Sequence, residues 1–217
     1  MDKYNVYQDM SRRTGGEIYL GIVGPVRTGK STFIKRFMEL VVIPEISDDN
    51  EKVRTIDELP QSADGKTIMT TEPKFIPKEA AVIHFSNQET GKIRLIDCVG
   101  YLVPEAVGAI EEEKERMVKT PWSEEEIPFS KAAEIGTSKV IREHSNVGLI
   151  ITTDGSFGDI AAANFEEALQ KTVMECEKAG KPFLILVNTS RPDSQEAIQF
   201  TKRLEAQYGK TVMAVNC

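Results

Sequence analysis

The residues with the clearest chemistry form a glycine-rich stretch near the start of the chain. Residues 24–31 match the pattern G-x-x-x-x-G-K-[ST], in which backbone N–H groups surround the phosphates of a nucleotide. In this pattern the Lys30 ammonium reaches the β- and γ-phosphate oxygens, and the Ser31 hydroxyl binds Mg²⁺. The predicted phosphate contacts come from Gly24, Pro25, Val26, Arg27, Thr28, Gly29, Lys30, Ser31 and Thr32.

The segments on both sides of this stretch are those that such a loop requires. Residues 17–23 are almost continuously apolar, which is typical of a parallel strand buried on both faces. Pro44 is predicted to end a following helix whose apolar residues recur at helical spacing, namely Phe33, Ile34, Phe37, Met38 and Val41. Because a loop between strand and helix places the helix N-terminus at the phosphates, a phosphate-binding loop is favoured over a glycine-rich turn without function.

A magnesium site in such a protein needs a carboxylate at the end of a neighbouring strand. Asp97 follows the apolar segment 92–96 and begins a D-x-x-G pattern that ends at Gly100, whose N–H would sense the γ-phosphate. The alternative is a strand-end aspartate that only makes a turn. The site also uses a hydroxyl from a loop that becomes ordered when the γ-phosphate binds. Thr70 and Thr71 are predicted for this role. The alternative is that they are polar residues of a surface loop without a role in the site. The predicted metal ligands are Ser31, Thr71 and Asp97.

Nucleobase recognition is where the sequence departs from GTP-binding proteins. Guanine is ordinarily recognised by N-K-x-D after a later strand, because the Asp carboxylate accepts hydrogen bonds from the base. Here Asn188 is in place, but Thr189 stands at the Lys position and Arg191 at the Asp position, and a guanidinium accepts no hydrogen bond. Arg191 can instead stack on a purine or donate to adenine, so ATP is the predicted nucleotide. Asp193 leaves an alternative route to guanine recognition.

The residues that would act on the attacking water are less well defined. Many GTPases place a glutamine directly after D-x-x-G, but this position is Tyr101, so slow turnover is expected. Arg27 lies between the two loop glycines, where its guanidinium can neutralise charge on the transferring phosphate. The alternatives for Arg27 are an exposed loop residue and a contact to a neighbouring subunit. The predicted catalytic residues are Lys30, Thr70, Thr71, Asp97 and Arg27.

Composition limits the class of protein. The 217 residues are 40% hydrophobic, which is enough for a substantial core and favours one domain. No apolar run approaches the roughly 20 residues of a membrane span, and the N-terminus lacks a signal-peptide core, so a cytoplasmic protein is expected. Three scattered cysteines favour free thiols over disulfides or a zinc cluster, and a net charge of −7 argues against nucleic-acid binding.

Strand and helix patterns alternate along the chain, as in a mostly parallel α/β sheet. Residues 81–85 and 92–97 are predicted to form one antiparallel hairpin after a long, mobile loop at 45–77. The other predicted elements are helices at 131–143 with Ser130 as the cap, 165–176 and 194–208, and strands at 147–151, 183–187 and 211–215. This order predicts a three-layer α/β/α P-loop domain of the GTPase-like (TRAFAC) type over 1–217, with 1–15 as an amino-terminal extension.

Segments 17–39, 67–73 and 97–101 together closely resemble the stage IV sporulation protein A family of endospore-forming bacteria. The resemblance covers essentially all 217 residues, which are similar to the family's amino-terminal nucleotide-binding domain without its middle and carboxyl-terminal regions. It implies an ATPase of GTPase-like fold that binds and hydrolyses ATP with Mg²⁺ and uses this cycle to polymerise into the basal layer of the spore coat. The family's functional residues map onto Lys30, Asp97, Thr70 and Thr71.

The resemblance also implies a location and partners. The layer lies on the outer forespore surface, in the mother-cell cytoplasm. Membrane attachment is indirect, because the carboxyl-terminal part of the family contacts a small amphipathic peptide, stage V sporulation protein M, and other coat proteins assemble on the layer. Two other classes remain open, a GTP-binding switch protein and a scaffold that binds nucleotide without hydrolysing it. The residues by themselves indicate a Mg²⁺-dependent protein that binds a nucleoside triphosphate.

Overall fold

A computed structural model describes residues 16–60, 72–84, 90–104, 106, 110–111 and 114–217. The strands of the described residues are β1 (Glu17–Val23), β2 (Lys74–His84), β3 (Thr90–Asp97), β4 (Ile110–Glu111), β5 (Lys114–Glu115), β6 (Met117–Thr120), β7 (Ser123–Pro128), β8 (Val147–Thr153), β9 (Phe183–Asn188) and β10 (Val212–Val215). The α-helices are α1 (Lys30–Phe37), α2 (Asp49–Asp57), α3 (Phe129–Lys139), α4 (Glu166–Lys178) and α5 (Gln195–Tyr208).

The main sheet has the strand order β10-β9-β8-β1-β3-β2. All neighbouring strands in it are parallel except β2 and β3, which are antiparallel, so the predicted mostly parallel sheet with one antiparallel hairpin is confirmed. The pairs β4–β5 and β6–β7 form separate antiparallel ribbons. Because the carboxyl ends of parallel strands lie at one edge, the segments that follow β1, β3, β8 and β9 meet there.

Apolar side chains cover both faces of this sheet. On one face Ile34 of α1 and Met38, directly after it, pack with Ile22 and Leu95 of the sheet. On the other face Val140, which follows α3, and residues of α4 and α5 pack with the opposite sides of the same strands. The strands are therefore buried from both sides, as the continuous apolar run of β1 predicts.

The helix after the glycine-rich stretch changes its winding at its end. The α-helical part stops at Phe37, and Met38–Val42 forms a π-helical turn. A π turn holds one residue more than an α turn, so the face that points at the sheet moves by one position. Val42 is fully buried and Val41 is 42% exposed, so the prediction that Val41 belongs to the apolar face was wrong.

The prediction of an irregular loop at 45–77 was also wrong in part. Helix α2 forms inside it, because the Asp48 side chain accepts a hydrogen bond from the Glu51 N–H at 2.7 Å and caps the helix N-terminus. Strand β2 begins at Lys74, within the same predicted loop. Residues 61–71 lie outside the described part of the chain.

The predicted cap of the helix at 131–143 was wrong as well. Helix α3 begins at Phe129, so Ser130 lies inside its first turn, and its hydroxyl donates to a Glu115 carboxylate oxygen. The helix predicted at 194–208 begins one residue later, at Gln195, because the Ser194 hydroxyl caps it by accepting from the Ala197 N–H at 3.1 Å. Over the described residues, every helix is too short or too polar to cross a lipid bilayer.

Candidate active site

The glycine-rich stretch forms the connection between β1 and α1, as predicted. Gly24 has a φ of 130° and Gly29 a φ of 89°, both in a region that disfavours other residues. A Cβ atom at position 24 would collide with the main-chain oxygen of Ile151 in β8, and one at position 29 with the side-chain nitrogen of Asn188. Both glycines are therefore required for the close approach of the loop to its neighbours.

Hydrogen bonds hold this loop in one shape. The buried Thr28 hydroxyl donates to the main-chain oxygen of Pro25 at 3.0 Å, and the Asn188 side-chain amide donates to the main-chain oxygen of Thr28 at 3.1 Å. On the other side, the Val26 N–H donates to the main-chain oxygen of Tyr101 at 2.9 Å. Since these contacts fix the loop before any ligand enters, its N–H groups are preorganised to bind an anion.

Lys30 begins helix α1 and points back into the loop. Its side chain is 5% exposed, and its ammonium donates to the main-chain oxygens of Pro25 at 2.6 Å and Gly24 at 3.4 Å. Burial lowers the pKa of Lys30, because its charged form is desolvated, and Asp97 partly opposes this effect. A phosphate bound by the loop would supply the negative charge that offsets this desolvation.

Asp97 ends β3, opposite Ile22 of β1, and lies next to the start of α1. Its Oδ2 accepts a hydrogen bond from the Ser31 hydroxyl at 3.0 Å. Its Oδ1 is buried and, among the described residues, has no hydrogen-bond partner. Burial raises the pKa of Asp97, although Lys30 and Ser31 favour the charged form. A buried carboxylate oxygen without a partner is a favourable position for a cation.

The residues around Asp97 fit a Mg²⁺ ion that is shared with phosphates. Within the described part of the chain, no group of three or more His, Cys, Asp and Glu side chains could hold a metal alone. Mg²⁺ commonly uses one or two carboxylates, waters and substrate phosphates, so one carboxylate with the Ser31 hydroxyl is sufficient. Burial raises the pKa of the neighbouring Cys98 to about 11, so this thiol remains neutral at pH 7.

Gly100 lies where the main chain passes beneath Lys30. Its φ is 94°, and a Cβ atom there would lie 2.7 Å from the Lys30 nitrogen and collide with the main-chain oxygen of Gly24. The predicted Gly100 position is thus next to the lysine, and the segment continues into a parallel bridge between Tyr101 and Pro25.

We expect Gly100→Ala to destabilise the fold by roughly 3 kcal/mol and to weaken ATP binding, because both the backbone strain and the collision apply. The matched control is Gly180→Ala, at a φ of 64° with nothing within 4 Å of the added atom. In this control only the backbone strain of the left-handed conformation applies, so the expected loss of stability is about 1–2 kcal/mol. Urea unfolding and ATP titration of both variants measure the difference. Equal losses of stability in the two variants would contradict the steric role assigned to position 100.

The structure brings several of the predicted residues to one place and leaves others apart. Lys30, Ser31, Asp97 and Gly100 meet at the loop between β1 and α1, as described above. Arg27 is exposed at the outer side of this loop with a φ of 61°, a left-handed conformation that residues other than glycine rarely adopt. Thr70 and Thr71 lie outside the described residues, so their predicted roles remain predictions.

Tyr101 does not project into the site. It is 3% exposed and packs with Val26, Val103 and Phe165, while the Lys171 ammonium lies 4.9 Å from the centre of its ring. Burial raises its pKa, which favours the neutral phenol. A side chain held in this way has little capacity to orient an attacking water.

The segment predicted to recognise the base follows β9. Asn188 is 6% exposed, and in addition to its bond to Thr28 its side-chain oxygen accepts from the Cys217 N–H at 3.1 Å. Thr189 is 2% exposed, whereas Arg191 and Asp193 are exposed. Asn188 therefore connects the phosphate-binding loop to the segment that follows β10, a role that the sequence pattern alone does not indicate.

Sequence reasoning overlooked Ser156, in the loop after β8. Its hydroxyl donates to the Thr189 hydroxyl oxygen at 3.2 Å and accepts from the Ser190 N–H at 2.8 Å. The available signal was the polar run 152–156, Thr-Thr-Asp-Gly-Ser, directly after an apolar strand. Since the carboxyl ends of neighbouring parallel strands meet, such a run at the end of β8 belongs to the same edge as the phosphate-binding loop.

Comparisons with known proteins give one consistent result. A family model described as "Stage IV sporulation protein A, ATPase domain" matches residues 1–217. Stage IV sporulation protein A of Bacillus subtilis (strain 168) is 53% identical over 216 residues, which are 100% of this chain and 44% of that protein. The protein of the same name from Bacillus anthracis is 51% identical, with 100% and 44% covered. That from Clostridioides difficile (strain 630) is 48% identical, with 98% and 43% covered. The chain spans less than half the length of these curated relatives.

Proposed function

The chain belongs to the family of the stage IV sporulation protein A ATPase domain, and from this premise we propose that it binds ATP with Mg²⁺ and hydrolyses it slowly to ADP and phosphate. The observation that supports this most directly is the convergence of three groups. The buried Lys30 ammonium, the Ser31 hydroxyl and the Asp97 carboxylate, with its unpartnered Oδ1, adjoin one preorganised loop.

Each of these groups has a proposed task. The N–H groups of the loop and the Lys30 ammonium bind the phosphates, with Lys30 exchanging its main-chain oxygen partners for phosphate oxygens. Ser31 and Asp97 hold Mg²⁺, together with Thr71 as predicted from the sequence. Bound there, Mg²⁺ would neutralise charge on the β- and γ-phosphate oxygens. Gly100 lies beside Lys30, where its N–H is proposed to sense the γ-phosphate.

Slow turnover is proposed because the position after D-x-x-G offers no group to orient water. Tyr101 is buried in its own apolar cluster, so the water depends on other residues, for which Thr70 and Thr71 are the candidates from the sequence. Arg27 is proposed to neutralise charge that develops on the transferring phosphate. Its exposed position on the loop and its rare backbone conformation support this role, since such conformations concentrate at functional sites.

ATP is proposed over GTP. Arg191 occupies the position at which a carboxylate recognises guanine, and its exposed guanidinium can stack on adenine or donate to it. A GTPase-like P-loop domain over 1–217, with 1–15 as an extension, is the proposed class of fold. In the longer family members the ATPase cycle is proposed to drive self-assembly into the basal layer of the spore coat in the mother-cell cytoplasm, with stage V sporulation protein M as a partner.

Phosphate release from Mg·ATP and Mg·GTP by the 217-residue chain, with competition binding of the two nucleotides, tests this function. We expect slow release from ATP and a preference for ATP, because the guanine acceptor is absent from its usual position. A preference for GTP of about a hundredfold or more would contradict the assignment and would indicate that Asp193 recognises guanine. Retained ATP binding without phosphate release would indicate a scaffold that does not hydrolyse its nucleotide.

A further inference from the structure

Three segments meet through hydrogen bonds beside the phosphate-binding loop. The first is the loop after β8, which contributes Ser156. The second is 188–191, at the end of β9. The third is 215–217, where the main-chain oxygen of Val215 accepts from the Thr189 N–H at 2.9 Å and the Asn216 side-chain amide donates to the main-chain oxygen of Ser190 at 3.2 Å. We refer to 188–191 as the base-proximal segment.

The geometry points to Ser156 as a positioning residue that holds the base-proximal segment for the nucleoside end of ATP. This inference rests on the proposed function and adds a residue to it. Ser156 lies about thirty residues from this segment along the chain, yet its hydroxyl bonds to the segment twice, at the Ser190 main-chain N–H and at the Thr189 side chain.

The strand order explains why this segment lies at the nucleoside end. In the order β9-β8-β1-β3, the loop after β1 binds phosphates and Asp97 at the end of β3 lies on one side of it. The ends of β8 and β9 lie on the opposite side. A nucleotide whose terminal phosphates lie between the loop and Asp97 must therefore extend its nucleoside toward the ends of β8 and β9.

The hydroxyl group of Ser156 acts as both donor and acceptor. It donates to the Thr189 hydroxyl oxygen and accepts from the Ser190 N–H. The Thr189 hydroxyl oxygen in turn accepts from the Arg191 N–H at 3.3 Å. Thr189 is 2% exposed, whereas Ser156 and Ser190 are exposed, so water can replace the bond to the Ser190 N–H more easily than the bond to the Thr189 hydroxyl. Truncation of Ser156 would remove a contact that fixes the Thr189 side chain, and this side chain accepts from the N–H of Arg191, the residue proposed to contact the base.

The loop after β8 is itself ordered in a way that presents this hydroxyl. The Gly155 N–H donates to the Thr153 hydroxyl oxygen at 3.0 Å, and the Ser156 N–H donates to the Asp154 carboxylate at 2.9 Å. Gly155 has a φ of 76°, which suits glycine. Hydrogen bonds of its own loop therefore fix the main chain of Ser156, so its side chain can act as a fixed contact for the base-proximal segment.

The test compares ATP with inorganic tripolyphosphate, a probe that has the phosphates and lacks the nucleoside. In titrations with Mg²⁺, we expect Ser156→Ala to raise the Kd for ATP by about tenfold, because two hydrogen bonds to the base-proximal segment are lost. The Kd for tripolyphosphate should change by less than about twofold, since this probe is expected to contact the phosphate-binding loop and the Mg²⁺ residues, to which Ser156 makes no hydrogen bond. Ser156→Thr keeps the hydroxyl and should remain within about threefold of the parent for ATP.

Ser123→Ala is the matched control, because it removes a serine hydroxyl that bonds to the main-chain oxygen of Glu125 in the β6–β7 ribbon. Unchanged ATP affinity in Ser156→Ala, or an equal loss for tripolyphosphate, would overturn the inference. If the parent chain binds tripolyphosphate and fails to bind ATP, both this inference and the proposed function are contradicted. If the parent binds ATP and Ser156→Ala binds it equally well, only the role of Ser156 is contradicted.

Discussion

Replacement of Lys30 with alanine is expected to reduce phosphate release from ATP by at least about a hundredfold. The Lys30 ammonium is buried and, among the described residues, donates to main-chain oxygens alone, at 2.6 and 3.4 Å. Its strongest interaction would therefore be formed with the phosphates, where charge develops during transfer. A malachite-green assay at saturating Mg·ATP measures this loss, and a titration measures the accompanying change in affinity.

Two further variants separate this effect from loss of folding. Lys30→Met keeps the aliphatic stem and removes the charge, and because burial lowers the pKa of Lys30, removing the desolvated ammonium should leave the melting temperature unchanged or higher. Lys35→Ala is the matched control, since Lys35 lies on the same helix, is 40% exposed and pairs with Glu39 at 3.9 Å. We expect its activity to stay within about twofold of the parent. Phosphate release near the parental rate in both Lys30 variants would contradict the assigned role.

Asp97→Asn is expected to have opposite effects on stability and function. It should abolish most Mg²⁺-dependent phosphate release, because the amide cannot replace the carboxylate as a ligand. It should also raise the melting temperature of the ligand-free protein by a few degrees, because burial raises the pKa of Asp97 and the charged form therefore weakens the native state. Thermal unfolding without nucleotide and ATP titration with Mg²⁺ or EDTA measure the two effects.

The raised pKa of Asp97 also determines how the stability of the folded protein depends on pH. A carboxyl whose pKa is raised in the folded protein stabilises it below the unfolded pKa, and this contribution is lost as the pH rises through the folded pKa. The stability advantage of Asp97→Asn should therefore be absent in acid and grow toward neutral pH. Asp57→Asn, at an exposed position, should change stability by no more than about 0.5 kcal/mol. A lower melting temperature for Asp97→Asn at neutral pH would show that the carboxylate stabilises the ligand-free site.

The sequence was sufficient for the parts of the fold that depend on short, strongly patterned segments. Strands β1, β8 and β9 have continuous apolar runs and were predicted with small errors at their ends. Helix α2 was missed because its apolar positions are few, although Asp48 and Glu51 form a capping signature that predicts a helix start. The π turn after α1 could not be predicted, since a change of one residue in winding leaves no distinct local pattern.

In the candidate site, too, residues in contiguous motifs could be predicted, whereas contacts between distant segments could not. The phosphate-binding loop and the D-x-x-G segment are contiguous motifs, so their residues could be named from the sequence, and the structure places them together. The contact of Ser156 with Thr189 joins residues from two different loops and depends on the order of β8 and β9 in the sheet. A single sequence does not specify that order, so such contacts require the structure.

A Cβ atom at residue 29 would lie 2.3 Å from the side-chain nitrogen of Asn188, and the same amide bonds to the main chain of residue 28. The glycine-rich loop and the end of β9 are therefore in direct contact. A side chain at position 29 would require Asn188 to move, and Asn188 begins the segment 188–191 that is proposed to lie near the base. Under the proposed function, replacement of Gly29 is therefore expected to change phosphate affinity and base selectivity together.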